Sequence, residues 1–252
     1  MKPKILFFDT ERAPPIGWFW ESKKPQFINY SQYLQHGFFT SIQWQYDHEK
    51  TPSAFSVVDN ETTFRDDPTC DKRVVKKAAK LLNDCDIVVA HNGKRFDWGH
   101  VVGRMMYHRL EPIKKPVIID TLTEARKFNF PSNALGNLAD YLDIAKKETN
   151  DAIIGKMVFG KIDERIKNVK KQTAYGIKDI QPMIELYHRI RPYMENHPNL
   201  GAFSGIPTCA CGSTHVNARG ERQLSGNRVK AMYRCMDCGK PMYGHVISKV
   251  TR

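Results

Sequence analysis

The order of apolar segments predicts an α/β fold followed by a small cysteine-rich module. Apolar runs of strand length alternate with amphipathic runs of helical period, in the order three strands, helix, strand, helix, strand and several helices. Four of the six cysteines fall after residue 208. We therefore expect an α/β domain over residues 1–198 and a separate module over residues 199–252.

Composition and charge restrict the class of protein. The 252 residues are 41% hydrophobic and 26% charged, as in ordinary globular proteins. No apolar run approaches the roughly 18 residues of a membrane span, and the N-terminus lacks a signal-peptide core. We therefore expect a soluble cytoplasmic protein with no membrane partner. The 39 Lys and Arg residues against 27 Asp and Glu give a net charge of +12, which suits a polyanion such as nucleic acid.

The first strand is predicted at Ile5 to Phe8, four apolar residues typical of a strand buried on both faces. It ends in Asp9 and Glu11, which point to one side while Thr10 points to the other. Two neighbouring carboxylates repel each other unless a cation lies between them. Taken alone, the same pattern is also typical of a solvated strand end.

An aromatic segment, residues 12–40, follows this strand and predicts a long excursion beside it. Within it, Trp18 and Trp20 are candidates for stacking on nucleic-acid bases, or for packing on the core. Two β-rich runs, 41–46 and 53–58, then predict an antiparallel hairpin.

The middle of the chain adds a second acidic position. A helical period over 71–82 precedes a buried strand at 86–90, and Asp97 begins the next helix, which is predicted to extend to Leu110. Asp97 is a candidate metal ligand or a simple helix cap. Asp120 follows a further strand that is predicted at 117–119. It is a candidate outer partner of the metal site, or a loop or cap residue.

The last helices of the domain contain a tyrosine and an aspartate on one face. Helices are predicted at 123–128 and 134–142, followed by an amphipathic run that begins at Tyr175. Tyr175 and Asp179 are four residues apart and therefore share a helical face. Pro182 predicts a kink or a new helix start, since proline removes a backbone donor.

Together these residues resemble three motifs of one family, the DEDD superfamily of 3′-to-5′ exonucleases (DnaQ-like) in its tyrosine branch. The motifs are matched in order by Asp9 and Glu11, by Asn92 with Phe96 and Asp97, and by Tyr175 with Asp179. The resemblance covers about residues 1–195. It implies an RNase H-like fold, a mixed five-stranded sheet flanked by helices.

The resemblance also implies a reaction and a metal site. It implies a 3′-to-5′ exonuclease that uses two Mg²⁺ or Mn²⁺ ions and releases nucleoside monophosphates, with single-stranded DNA as the favoured partner. The implied metal ligands are Asp9, Glu11, Asp97 and Asp179. Tyr175 is implied to orient the attacking water, or to help deprotonate it. The residues expected to contact nucleic acid are Thr10, Trp18, Asn92 and Phe96.

Two alternatives to a DNA exonuclease stay open at this stage. An RNA 3′ exonuclease would use the same chemistry, since no motif reports contacts near a 2′-hydroxyl. An inactive adaptor that binds nucleic acid through the C-terminal module is the other. The complete set of acids argues against the adaptor, because a scaffold has no need of mutually repelling carboxylates.

The C-terminal cysteines resemble the two knuckles of a zinc ribbon. The four predicted ligands of one structural Zn²⁺ are Cys209, Cys211, Cys235 and Cys238. The first pair is separated by one residue where the usual knuckle has two, so His215 or His245 is an alternative ligand. A redox dithiol is the other reading of the cysteine pairs.

The same module is strongly basic, and the remaining cysteines stand apart from it. Its basic residues include Arg219, Arg222, Arg228, Lys230 and Arg234. They suit binding of nucleic acid or of a protein partner, or a simple cap on the enzyme domain. Cys70 and Cys85 are expected to be free thiols.

Overall fold

The computed structural model describes residues 3–18, 29–144, 157–195, 197–224 and 228–248. The chain forms two compact units, Ile5–Glu185, and Leu186–Arg252 together with Met1–Lys4. The division falls inside a long helix. The domain boundary expected at residue 198 stays a prediction.

A mixed five-stranded sheet organises the larger unit, as the sequence predicts. The strands of this unit are β1 (Ile5–Ala13), β2 (Ile16–Gly17), β3 (Tyr33–Gln35), β4 (Phe38–Tyr46), β5 (Ser53–Ser56), β6 (Ile87–Ala90) and β7 (Val117–Asp120). The sheet order is β5-β4-β1-β6-β7, while β2 and β3 pair separately. Strand β4 is antiparallel to β1 and β5, whereas β6 is parallel to β1 and β7. The central strand β1 therefore meets both kinds of neighbour.

Among the described residues, six helices belong to the larger unit or begin in it. Their bounds are α1 (Glu61–Asp66), α2 (Lys72–Asp84), α3 (Asp97–Tyr107), α4 (Thr121–Ala125), α5 (Leu135–Tyr141) and α6 (Ile162–Ile190). Short 3₁₀ turns occur at Tyr30–Gln32 and Val57–Asp59. The strands of the main sheet follow the expected order, and the structure adds the short pair β2 and β3 and the helix α1, which were not predicted.

The last of these helices differs from the prediction. Helix α6 begins at Ile162, well before Tyr175, and Pro182 lies inside it rather than at a new start. The loss of one backbone donor is tolerated because the flanking Ile180 and Met183 are fully buried and hold the helix by packing.

The core lies between the sheet and helices α2 and α3. Strand β1 contributes Leu6 and Phe8, and α2 contributes Val74 and Val75, all of them fully buried. Strand β4 begins at Phe38, three residues before the predicted start at Ser41. Its first eight residues are all buried, so the run lacks the alternation that marks a half-buried strand.

The C-terminal unit is built on a three-stranded antiparallel sheet. After a 3₁₀ turn at Arg191–Tyr193 and a one-turn helix α7 (Gly201–Ser204), strands β8 (Val216–Leu224), β9 (Arg228–Cys235) and β10 (Pro241–Ser248) pair in the order β10-β9-β8. Across the described residues of both units, no helix is long and apolar enough to cross a membrane.

Candidate active site and cysteine cluster

Three predicted carboxylates meet at one place. Oxygen atoms of Asp9, Glu11 and Asp179 all lie within 4.8 Å of one another. Asp9 is the middle residue of β1 and Glu11 lies in its second half, so the strand continues to Ala13 instead of ending at the acids as predicted. Asp179 comes from the middle of α6. Like charges this close disfavour one another, so the cluster suits a bound cation.

The neighbouring strand allows α6 to approach these acids closely. In the β1–β4 pairing, Asp9 lies opposite Gln43 and Glu11 lies opposite Ser41, so the four side chains share one face. A Cβ added to Gly176 of α6 would lie 2.7 Å from Cδ of Gln43. Glycine at this position therefore lets the helix backbone lie against the sheet beside the acids.

Gln172 is a site residue that the sequence motifs did not reveal. Its Nε2 donates a 2.6 Å hydrogen bond to Oε2 of Glu11, and its side chain is buried. Gln172 lies three residues before Tyr175 and seven before Asp179, which places all three on one helical face. That spacing is the sequence signal that could have identified Gln172.

The fourth predicted acid, Asp97, is connected to the cluster through Thr10. Oγ1 of Thr10 donates a 2.6 Å hydrogen bond to Oδ1 of Asp97, and both residues are buried. Burial, and then the charge of Asp9, raise the pKa of Asp97 well above its ordinary value, while the bond from Thr10 acts in the opposite direction. A cation beside these carboxylates would favour the ionised form of Asp97.

The loop from β6 to α3 brings the second motif to the site. Asn92 has a φ of 69°, a left-handed conformation that asparagine tolerates better than most residues. Asp120 accepts hydrogen bonds from the backbone N–H groups of Asn92 and Lys94, and it caps α4. The interpretation of Asp120 as a cap and loop anchor is confirmed. A Cβ on Gly93 would lie 2.3 Å from Cβ of Ala90, so only glycine fits there.

The remaining predicted site residues differ in exposure. Phe96 is 37% exposed, and its ring packs edge-on against His100. Trp18 is 41% exposed, and its backbone pairs with Gln32. Thr10 is 4% exposed, and Trp20 lies outside the described residues. The predicted contacts of Thr10, Trp18, Asn92 and Phe96 with nucleic acid stay predictions.

The donor set fits hard divalent cations. Mg²⁺ and Mn²⁺ prefer carboxylate oxygens and keep several waters, so they need few protein ligands in a flexible arrangement. Asp9, Glu11 and Asp179 supply these oxygens within one small volume. Asp97 is the candidate for a further ligand, because its charge interacts with that of Asp9.

Comparison with known proteins supports the fold. Residues 42–159 match the RNase H superfamily. The chain carries an RNase H-like domain. The chain is 30% identical over 138 residues to a DNA polymerase III PolC-type of Ureaplasma parvum. The aligned part covers 52% of this chain and 9% of that polymerase. The family B DNA polymerase of the archaeon Pyrobaculum calidifontis is similar over 83% of this chain and 26% of its own, with 12% identity and a TM-score of 0.51, which shows the fold alone.

Beyond the RNase H-like domain, the four C-terminal cysteines form a second candidate metal centre. Sγ of Cys209 lies 3.6 Å from Sγ of Cys238, and Sγ of Cys211 lies 3.7 Å from Sγ of Cys235. A tetrahedral Zn²⁺ with sulfur ligands at roughly 2.3 Å requires sulfur–sulfur distances of roughly 3.8 Å. The four sulfurs therefore fit one structural zinc.

The backbone around the cysteines forms two similar turns. Gly212 and Gly239 each follow the second cysteine of a pair and have φ of 98° and 74°. Burial opposes ionisation of Cys235, but hydrogen bonds from the backbone of Cys238 and Asp237 and from the thiols of Cys238 and Cys211 together lower the pKa of Cys235 to about 6. A thiol that ionises readily is suited to metal binding. Burial instead raises the pKa of Cys209 to about 12 and raises that of Cys211, so a cation would be needed to ionise these two thiols.

Of the two alternative histidine ligands, only the side chain of His215 lies in the described part of the structure. Nδ1 of His215 lies 3.0 Å from a carboxylate oxygen of Asp237, so this ring is used in a surface pair. The side chain of His245 lies outside the described part of the structure. The cysteine set is therefore the one that the described residues support.

Proposed function

We propose that the RNase H-like domain is a divalent-metal-dependent 3′-to-5′ exonuclease that removes nucleoside monophosphates from single-stranded DNA. The observation that supports it most is the meeting of Asp9, Glu11 and Asp179, with Asp97 joined to them through Thr10. Similarity to parts of two DNA polymerases favours DNA as the substrate.

Each acid has a part in this proposal. Asp9, Glu11, Asp97 and Asp179 would hold two cations through their carboxylate oxygens. Bound Mg²⁺ or Mn²⁺ would supply activation of water and charge stabilisation for the departing oxygen. Gln172 holds Glu11 by its 2.6 Å hydrogen bond and so fixes one carboxylate before a cation arrives.

The tyrosine and the exposed aromatic rings would position the reactants. Tyr175 precedes Asp179 by one helical turn, so its hydroxyl would orient the attacking water, since a phenol is ordinarily protonated at neutral pH and then cannot accept the water's proton as a base. The exposed ring of Phe96 would support the terminal nucleotide together with Asn92. Trp18 would stack on a base further along the strand.

The C-terminal cysteines would hold one structural Zn²⁺. A unit this small has little core of its own, so the metal would stabilise the fold rather than take part in cleavage. Its sheet and turns would then depend on an intact set of four thiolates.

The decisive experiment measures nucleotide release from single-stranded DNA, duplex DNA and RNA, each labelled at the 5′ end and blocked at either end in separate reactions. We expect shortening of single-stranded DNA from an open 3′ end with Mg²⁺ or Mn²⁺, and none in EDTA. Preference for RNA would assign the RNA exonuclease instead. Failure to cut any of these substrates would leave the adaptor.

A matched pair of variants assigns the activity to the acid cluster. Asp179→Asn should lower the rate by at least roughly a thousandfold, since it removes a charged ligand from the site. Asp163→Asn makes the same change on the same helix, at an exposed residue paired with Arg65. Equal activity of both variants would contradict the proposed site.

A further inference from the structure

Strand β9 of the C-terminal unit has two unlike faces. Val229 and Cys235 are buried on one face, where Ala231 and Tyr233 are half-buried. Alternation places Lys230, Met232 and Arg234 on the other face, where they are partly or fully exposed. This second face is therefore the solvent-accessible side of the strand.

Two cations lie directly opposite each other on this face. Arg222 of β8 pairs in register with Lys230 of β9. Like charges at directly opposite positions of an antiparallel pair are destabilising. Among the described residues, neither Arg222 nor Lys230 has an ion-pair partner. Arg219 of β8 and Arg234 of β9 are exposed and add two further positive charges. A bound anion would neutralise these charges and remove their mutual repulsion.

An aromatic ring lies in the middle of this basic surface. Tyr243 of β10 pairs with Met232 in register, which puts it on the same face. Its side chain is 41% exposed, and Nζ of Lys230 lies 4.7 Å from the centre of its ring. An exposed ring next to a cation is the arrangement on which bases of single strands stack.

Tyr243 lines two concave regions. A cavity of about 210 Å³ has Lys230, Lys240 and Glu195 as its charged lining residues. A groove of about 410 Å³ is lined by Arg219 and Arg234, with Met232 and both Tyr233 and Tyr243. The charge of this surface is thus mainly positive, with one acid at its edge.

The pKa of a nearby histidine agrees with a positive electrostatic potential at this surface. Burial, and then the charges of Arg191 and Lys240, lower the pKa of His197 to about 4. His197 lines the 210 Å³ cavity. Burial opposes a charge of either sign at this ring, and the smaller contributions of Arg191 and Lys240 show a positive potential that opposes a further cation.

We propose that this face of the C-terminal sheet, defined by Arg219, Arg222, Lys230, Arg234 and Tyr243, binds single-stranded nucleic acid, with phosphates on the cations and a base stacked on Tyr243. The surface would hold the strand independently of cleavage by the acid cluster. It favours a flexible single strand over a protein because phosphate charge and a free base satisfy both of its features.

The test is equilibrium binding of a fluorescent 20-nucleotide DNA or RNA strand to the full chain. All variants are made in the Asp179→Asn background with no added divalent metal and no chelator, so that zinc stays bound. We expect Arg222→Gln/Lys230→Gln to bind at least roughly tenfold more weakly at low salt. Each lost phosphate contact should reduce the slope of log affinity against log salt by about 0.7.

The control is Lys76→Gln/Lys80→Gln, which removes the same charge from the exposed face of α2. Zinc content equal to that of the parent shows that the C-terminal unit of each variant is folded. Equal affinities and salt slopes of the two double variants would overturn the proposal and would leave an acidic protein as the occupant.

A second pair of variants tests stacking. Tyr243→Ala should weaken binding roughly tenfold with little change in the salt slope, whereas Tyr243→Phe keeps the ring and should bind like the parent. Equal loss in both would show that the ring does not stack on a base. Because the readout is binding, failure here is separate from failure of the proposed exonuclease activity.

Discussion

Oγ1 of Thr10 donates a 2.6 Å hydrogen bond to Oδ1 of Asp97. This bond joins the second half of β1 to the start of α3, at residues that are 87 positions apart in the sequence. Both side chains are buried, so water does not readily replace it. It therefore holds Asp97 next to the charge of Asp9.

Loss of that bond should weaken metal binding. Thr10→Val keeps the shape but removes the donor, so the pKa of Asp97 should rise further and a cation must compete with a more tightly held proton. A hydrogen bond to a charged group contributes about 1.5 to 3 kcal/mol, so we expect Mn²⁺ affinity to fall at least roughly tenfold. Calorimetric titration with Mn²⁺ measures this. Thr10→Ser keeps the donor, and the prediction fails if both variants bind Mn²⁺ equally.

A buried charge cluster should dominate the stability of the RNase H-like domain. Asp71 is fully buried and accepts from the backbone of Phe39, from Nε and Nη2 of Arg104, and from His108. Asp71→Ala leaves these donors unpaired and should cost about 3 to 5 kcal/mol in the free energy of unfolding. Urea denaturation measures it.

The exposed pair Arg65 and Asp163 provides the contrast for Asp71. Its side chains are 44% and 77% exposed, so Asp163→Ala should cost less than about 1 kcal/mol. Equal costs for the two alanine variants would show that Asp71 is not a structural anchor. A smaller cost for Asp71→Ala/Arg104→Met than for Asp71→Ala alone would confirm that unpaired charge is the cause.

The chain should bind about one zinc ion. That ion should be required for the folding of the C-terminal unit and not for the folding of the RNase H-like domain. Cys238→Ser removes one thiolate, so zinc should be lost and the hydrogen-exchange protection of β9 should fall, because the fold of so small a unit depends on its metal. Cys70→Ser, at a free thiol of the other unit, should keep zinc. Elemental analysis distinguishes them, and full zinc in Cys238→Ser would refute the four-cysteine site.

Acid should destabilise the C-terminal unit through His197. Nδ1 of His197 donates to the carbonyl of Pro198, Nε2 accepts from Tyr187, and the pKa of the ring is lowered to about 4. The unfolded chain binds a proton near pH 6.5 and the folded ring does not. Stability is therefore complete above pH 6.5 and falls as the pH drops towards 4, by on the order of 3 kcal/mol.

The measurement for His197 is hydrogen-exchange protection of β9 between pH 7.5 and pH 5. The parent should lose more protection than His197→Gln, which has no ring to protonate. Any acid-induced loss of zinc is common to both proteins and cancels in the comparison. Parallel pH profiles would show that His197 does not contribute.

The sequence predicted those features whose signals are local. The strand that carries Asp9 and Glu11 on one face, and the four-residue spacing of Tyr175 and Asp179, follow from alternation and helical period. The predicted strand end was wrong, because pairing with β4 extends the strand past its apolar run to Ala13. The start of α6 at Ile162 was missed, because its first turns are rich in charged residues and are held by contacts distant in sequence. The bond from Thr10 to Asp97 was missed for the same reason, since strand alternation alone turns Thr10 away from the acids.

Gly176 should control the geometry of the acid cluster more than the stability of the fold. Alanine favours a helix by about 1 kcal/mol over glycine, which offsets part of any strain. However, its Cβ would lie 2.7 Å from Cδ of Gln43, a buried side chain opposite Asp9 in the sheet. Gly176→Ala should therefore shift α6, and Asp179 with it, and lower the rate of nucleotide release at least roughly tenfold, since small displacements of catalytic groups reduce rates strongly.

A second substitution tests this cause. Gln43→Ala makes room for the added methyl group, so Gly176→Ala/Gln43→Ala should recover activity relative to Gly176→Ala, even though the second change also removes the hydrogen bond from Gln43 to Ser41. Thermal unfolding of each variant shows whether the fold persists. If Gln43→Ala adds its own loss to that of Gly176→Ala instead of relieving it, the close approach of α6 to the sheet is not what positions Asp179.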